Sequence, residues 1–301
     1  MGMFYIMSLL LEQRFFFLGM CPWPNRGPDM RFRSFRNPFT IQTQSPITDD
    51  QLMSVVPSVF AGGKHDSRSD RYSYIPTIEI VDALRAEGFH VYMACQARVR
   101  DADRRGHARH MLRLRHSSVG QSEKVNEIIF LNSHDGSSSC QLIAGVFRFI
   151  CSNGMVVGNT YSDIRVRHTG DVTGEVIEGA YEVLDTFERV DQSYSQMRDV
   201  SLTPDEQGAL AKAVLTLKYD GQYAPIDSSQ LLTPRRREDH SPDLWTTLNC
   251  LQENVIRGGL KGRSADGRRT TTRPVTGVDQ NVRLNRALWT LAEEMQKLKG
   301  E

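Results

Sequence analysis

Residues 127–159, EIIFLNSHDGSSSCQLIAGVFRFICSNGMVVGN, contain two apolar runs joined by a polar loop. The runs, residues 127–131 and 141–150, are rich in β-branched and aromatic side chains, which favour strands. The loop between them contains Asp135-Gly136, a pair typical of tight turns. The stretch therefore predicts a hairpin of two antiparallel strands. A second turn is predicted at Asn153-Gly154, because this pair adopts positive φ easily and would let the chain leave the sheet.

Two more strands are predicted before this hairpin, at residues 89–100 and 109–116. In the first, Val91, Met93 and Cys95 alternate with polar residues, so they are expected to face the core together. In the second, leucines alternate with arginines. The alternation places four arginines on the face of the meander away from the core, where we expect them to be exposed: Arg98, Arg100, Arg113 and Arg115.

Helical periodicity predicts the layers that cover the apolar face of this sheet. Thr77 is expected to cap a helix over residues 78–87, and a longer amphipathic helix is expected over residues 174–198. The expected fold class is α+β, with a four- or five-stranded antiparallel β meander covered by helices and a C-terminal helical region. Residues 30–200 would form the sheet domain, and residues 201–301 the helical region, with its basic loops packed on that domain.

The first 29 residues do not fit this organisation. Their apolar run is interrupted by Glu12 and Arg14, and it is shorter than the ~20 residues that span a bilayer. No basic segment precedes it, as one would in a signal peptide. Residues 1–29 are therefore predicted to be a non-native or disordered leader, with Met30 as the working start and no membrane partner.

The composition of the chain restricts its partners and its compartment. The 301 residues have a net charge of +1 and a pI of about 7.7, so affinity for an acidic partner must come from local clusters. The five cysteines are scattered, without a CxxC pair. This pattern indicates a reducing cytoplasm and argues against a disulfide framework or a zinc cluster. No cofactor is predicted.

Local clusters of positive charge favour nucleic acid as the partner. Residues 257–273 contain six basic residues and one acid, with glycines and threonines between them, and are expected to be flexible. Together with the arginines of the sheet they would contact the phosphate backbone, most simply of single-stranded DNA. The protein is thus predicted to bind nucleic acid without catalysis, and a homo-oligomer is compatible with this role. The phosphate contacts expected in this segment come from Lys261, Arg263, Arg268 and Arg269.

The polar loop supports an alternative, a metal- or phosphate-dependent enzyme. A His-Asp pair on a loop rich in glycine and serine could bind a metal or activate water, but a metal site needs about three or four ligands. Only His65-Asp66 offers a second such pair. A third alternative is a factor that binds host proteins, which requires an apolar surface. The residues of the loop site are Asn132, His134, Asp135 and Ser137; no catalytic residue is assigned and no metal is predicted.

Several short motifs resemble those of the YfjQ/YafZ family, and the resemblance runs from about residue 30 to residue 299. These motifs are RYSYIPT at residues 71–77, QARVR at 96–100, NSHDGSS at 132–138, SNGM at 152–155 and DLWTT at 243–247. The resemblance implies a bacterial, cytosolic protein of prophages and plasmids, and it brings no established activity. In outline alone, the predicted fold is similar to phage single-strand annealing proteins of the RecT, Red-beta and Erf type.

Overall fold

The computed structural model describes residues 39–68, 72, 74–101, 103–118, 124–149, 153–158, 163–166 and 172–300. The predicted leader, residues 1–29, lies outside these residues. Residues Ser34–Glu301 group as one compact unit, so the predicted sheet and helical regions belong to the same body.

A seven-stranded antiparallel sheet forms the centre of the described chain, in the order β1-β2-β3-β4-β5-β6, with β7 pairing with β5 beside β6. The α+β fold class and the meander are confirmed, and the sheet is larger than expected. The strands are β1 (Thr40–Gln42), β2 (Phe89–Gln96), β3 (His110–His116), β4 (Lys124–Asn132), β5 (Cys140–Arg148), β6 (Asn153–Val156) and β7 (Asp163–Val166).

Seven α-helices are present in the described residues. Periodicity predicted the helix that begins at Thr77, but the single helix expected over residues 174–198 is two helices, divided at Thr186. No helix among them is both long enough and apolar enough to cross a membrane. The helices are α1 (Asp49–Val55), α2 (Thr77–Ala86), α3 (Val172–Asp185), α4 (Phe187–Asp199), α5 (Pro204–Tyr219), α6 (Leu244–Arg257) and α7 (Val278–Gly300).

Both faces of the sheet are covered. The larger core lies on the face that carries Leu112 and Phe130, and it extends to Trp245 of α6 and Trp289 of α7. A smaller apolar cluster on the opposite face packs against Val278 and Val282 at the start of α7. The C-terminal helices therefore complete the core of the sheet, and residues of the second face that would be exposed in an isolated meander are buried.

The predicted alternation of β2 is wrong in its second half. Val91 pairs with Leu114, but Met93 pairs with Arg113, so Tyr92 is an extra residue in a β-bulge. A bulge reverses the face on which the following side chains lie. Met93 and Cys95 consequently belong to the smaller apolar cluster on the second face and not to the larger core.

The turn predicted at Asn153-Gly154 is also wrong, because both residues lie in β6 and pair with β5. Among the described residues, Gly154 is not one of those with positive φ. Its lack of a side chain has another reason: a Cβ atom at this position would overlap the guanidinium group of Arg113. The glycine allows the backbone of β6 to lie directly against that buried arginine.

Gly154→Ala is expected to lower the free energy of unfolding by about 1–3 kcal/mol, because the added methyl group displaces a buried and hydrogen-bonded arginine. Urea unfolding followed by circular dichroism measures the change. Gly208→Ala is the matched control, since a Cβ at Gly208 in α5 meets nothing within 4 Å. That substitution should stabilise the protein by about 0.5–1 kcal/mol, the helix preference for alanine over glycine. Equal effects of the two substitutions would contradict the close approach at Gly154.

Candidate functional site

The loop proposed as a site, Ser133–Ser139, connects β4 to β5 as predicted. Asn132 is the last residue of β4, and Asp135 is half-buried. Ser137 is exposed, and it donates to the carboxylate of Asp135 within the turn. His134 differs from the expectation of a polar surface loop, because its side chain is completely buried.

His134 belongs to a buried polar cluster centred on the hydroxyl group of Thr77. Oγ1 of Thr77 lies 3.0 Å from Nε2 of His110 and 3.3 Å from Nε2 of His134, and it accepts from Nδ2 of Asn132 at 3.0 Å. The predicted N-cap role of Thr77 is wrong: the cap position is Pro76, without a side-chain cap. Thr77 is the first residue of α2, and its hydroxyl group points to the sheet.

The contacts of this buried polar cluster assign the imidazole tautomers. Nδ1 of His110 lies 3.0 Å from the Ser58 hydroxyl, which can donate or accept, and 3.1 Å from the backbone oxygen of Ala108, which can only accept; we assign the proton to this nitrogen because of the Ala108 contact. Nε2 of His110 then accepts from the Thr77 hydroxyl, and His134 donates to that hydroxyl through Nε2. Burial lowers the pKa of His110 to about 4 and that of His134 to about 3. Both imidazoles are therefore neutral at pH 7.

The buried polar cluster holds three loops together at one end of the sheet. The backbone N–H of His134 donates to the backbone oxygen of His107 at 3.0 Å, and the backbone N–H of His65 donates to the backbone oxygen of His134 at 3.0 Å. Thr77, His110 and His134 are each inaccessible to solvent. Within the described ranges, no group of three or more His, Cys, Asp or Glu residues is arranged to hold a metal ion. The geometry therefore gives His134 a structural role.

Arg113 and Arg115 are not on an exposed face, and that prediction is wrong. Their exposed fractions are 3% and 6%, and both contact Glu127, which is fully buried. Nη1 of Arg113 lies 3.1 Å from Oε2 of Glu127, and Nε of Arg115 lies 2.8 Å from Oε1. These three residues form what we call the arginine–glutamate triad. An acidic residue inside the apolar strand β4 was the sequence signal for it.

Aromatic side chains enclose one end of this triad. The guanidinium carbon of Arg115 lies 4.4 Å from the ring centroid of Tyr92, 4.7 Å from that of Phe147 and 5.2 Å from that of Phe149. Cation–π attraction at these distances compensates part of the desolvation of the charge. The face of the meander was therefore predicted correctly for these two arginines, whereas its exposure was not.

The basic segment after α6 is an ordered hairpin and not a flexible loop. Strands β8 (Lys261–Arg263) and β9 (Arg269–Thr271) pair antiparallel, with Arg263 opposite Arg269. The backbone N–H of Arg263 donates to the backbone oxygen of Pro225 at 2.8 Å, and a Cβ at Gly262 would overlap the backbone of that proline. One side of this basic hairpin thus packs against the protein, which gives the opposite side a fixed orientation.

The outward side of the basic hairpin concentrates positive charge. Lys261, Arg263 and Arg269 are all exposed and, because alternate residues of a strand share a face, they lie on the same side. In the part of the chain that the structure describes, no carboxylate makes an ion pair with these three residues. Arg268, in the turn, is also exposed and lies 3.8 Å from Asp266.

Arg98 and Arg100 are exposed, but they lie in the loop after β2, which ends at Gln96. The sheet therefore does not bring these two residues together with Arg113 and Arg115. Of the eight cations predicted to contact phosphates, six are exposed, and four of these are in the basic hairpin.

Comparison with known proteins gives a family without an assigned activity. The family model described as domain of unknown function DUF932 matches residues 64–289. The UPF0380 protein YfjQ of Escherichia coli (strain K12) is 53% identical over 255 residues, which cover 85% of this chain and 93% of that protein. The UPF0380 protein YafZ of the same organism is 52% identical over the same shares of both chains. No solved structure matches the chain.

Proposed function

The chain belongs to the DUF932 family, and from this premise we propose that it is a non-catalytic nucleic-acid-binding protein that contacts the phosphate backbone with its basic hairpin. The whole basic hairpin lies within the residues that the family model matches, as does the sheet apart from β1 (Thr40–Gln42). The cytoplasmic location and the origin in a prophage or plasmid that the resemblance implies stay predictions.

The observation that carries the proposal is the pair Arg263 and Arg269, which lie opposite each other in the basic hairpin and make no ion pair with a carboxylate of the described residues. Like charges directly opposite each other on paired strands destabilise a hairpin. A bound phosphate group would turn this repulsion into two charge-assisted hydrogen bonds. Exposed two-stranded β-ribbons with basic side chains are also an established way to contact nucleic acid.

Single-stranded nucleic acid fits the surroundings of the basic hairpin best. Tyr223 is 59% exposed and stands two residues before Pro225, the residue on which the hairpin packs. An exposed aromatic ring beside a cationic surface can stack on an unpaired base, and base stacking is tolerant of sequence. Arg98 and Arg100 would provide a second contact at the end of the sheet. Arg113 and Arg115 leave the proposed site because they are buried.

Replacing Arg263 and Arg269 together with glutamine is expected to weaken binding to a labelled single-stranded oligonucleotide by tenfold or more at low salt. The log–log dependence of affinity on salt should lose about one to two units of slope, since each phosphate contact on a single strand contributes about 0.7. Fluorescence anisotropy across a salt series measures both quantities, with a duplex of the same sequence for comparison. Tyr223→Ala should weaken binding to the single strand more than to the duplex.

The control variant replaces Arg165 and Lys297 with glutamine. These side chains are 68% and 69% exposed outside the basic hairpin, and the change in net charge is the same. The control should retain the affinity and the salt slope of the unmodified protein. If the unmodified protein shows no salt-sensitive binding to DNA or RNA at low ionic strength, the basic hairpin serves solubility, and binding of a host protein becomes the better hypothesis.

A further inference from the structure

A cavity of about 310 Å³ lies on the second face of the sheet, between the sheet, the end of α6 and residues 274–281. Its lining includes the apolar residues Met93, Met111 and Phe147 and the two arginines Arg113 and Arg257. Small-molecule sites combine this range of volume with a mainly apolar lining and a few polar groups. The basic hairpin is not part of this wall.

Arg113 brings an excess of positive charge to the cavity. It shares the single carboxylate of Glu127 with Arg115, so two cations are paired with one anion in the buried triad. The Arg113 guanidinium also donates to the backbone oxygens of Gly154 and Met155, which are neutral acceptors. A buried charge is costly unless an opposite charge compensates it. An anion in the adjacent cavity would supply that compensation.

Arg257 gives the same wall a second guanidinium group. Nη1 of Arg257 lies 2.6 Å from Oε1 of Glu253, and that oxygen also contacts Arg236 at 2.6 Å. Glu253 therefore keeps a partner if the contact with Arg257 changes. Asn281 lines the cavity as well, and its side-chain amide nitrogen can donate a further hydrogen bond.

We propose that this cavity binds a small organic anion: an apolar or aromatic body, held against the methionines and Phe147, that carries one carboxylate, sulfonate or phosphate group near Arg113 and Arg257. The inference goes beyond the proposed nucleic-acid binding and does not rest on it. The two activities use different residues, so they can be separated by mutation.

Two dyes with closely similar apolar bodies test the proposal on the full chain. 8-Anilinonaphthalene-1-sulfonate carries an anionic group, and N-phenyl-1-naphthylamine is its neutral counterpart. Fluorescence titration is expected to show one bound sulfonate dye per chain, with at least tenfold higher affinity than the neutral dye. Equal affinity for the two dyes, or several sulfonate molecules bound per chain, would overturn the proposal.

Three variants locate the site. Arg257→Gln should weaken binding of the sulfonate dye about fivefold or more and leave the neutral dye unchanged. Thr276→Trp changes an exposed residue of the cavity wall, so the fold should tolerate it, and it should weaken both dyes at least tenfold. Arg263→Gln, in the basic hairpin, should change neither dye. Sulfonate binding that persists in the folded Thr276→Trp variant would show that the dye binds elsewhere and would refute the assignment.

Discussion

Glu127→Gln is expected to lower the free energy of unfolding by about 3–5 kcal/mol, the cost of removing one partner from a buried ion pair. Glutamine retains the shape of the side chain but loses its charge, so Arg113 and Arg115 would be buried without an anion. Because a domain is stable by only ~5–15 kcal/mol, this single change can unfold much of the population. Urea unfolding at pH 7.5, followed by circular dichroism, measures the effect.

Two further variants determine whether the charge is the cause. Asp101→Asn removes an exposed carboxylate that lies 3.9 Å from Arg104, and it should cost less than about 1 kcal/mol. Replacing all three members of the triad with apolar residues of similar size should recover much of the stability, since no unpaired charge remains buried. A loss below 1 kcal/mol in Glu127→Gln would mean that solvent or a bound anion already neutralises the two arginines.

Local sequence patterns were sufficient for much of the fold. The apolar runs of β4 and β5, the turn at Asp135-Gly136 and the helical periodicity after Thr77 depend on residues close together in the chain, so they can be recognised without tertiary information. The α+β class and the antiparallel meander follow from these elements. The β-bulge at Tyr92 could not be predicted in this way, because it is defined by the pairing of β2 with β3.

The site predictions failed where a distant part of the chain covers a local pattern. Period-two alternation gives the face on which Arg113 lies, but α6 and residues 274–281 decide what covers that face. Gly154 is ambiguous for the same reason. A glycine can be needed either for a positive φ or to let a neighbouring group approach the backbone, and here the neighbour is Arg113 of β3. The charges of the basic hairpin were visible in the sequence, whereas its order depends on Pro225.

Acidification from pH 7.5 to pH 5.0 is expected to lower the free energy of unfolding by about 4 kcal/mol through the buried polar cluster. In the folded protein, the pKa of His110 is lowered to about 4 and that of His134 to about 3, chiefly by burial. In the unfolded chain both imidazoles titrate near their ordinary pKa of about 6.5. Well above that pH both imidazoles are neutral in the folded and the unfolded states, so the contribution of the buried polar cluster to stability is fully present.

As the pH falls through 6.5, the unfolded chain comes to bind two more protons than the folded one, and each bound proton then contributes about 1.4 kcal/mol per pH unit. The loss should continue as the pH falls, until His110 and then His134 are protonated in the folded state. Urea unfolding at intervals between pH 7.5 and 5.0 measures the slope. His134→Gln should reduce the slope of unfolding free energy against pH by the contribution of one proton, about 1.4 kcal/mol per pH unit. His240→Gln, at an exposed position, should leave the slope unchanged. Constant stability across this range would show that the two imidazoles have similar pKa values in the folded and unfolded states, and it would contradict the prediction.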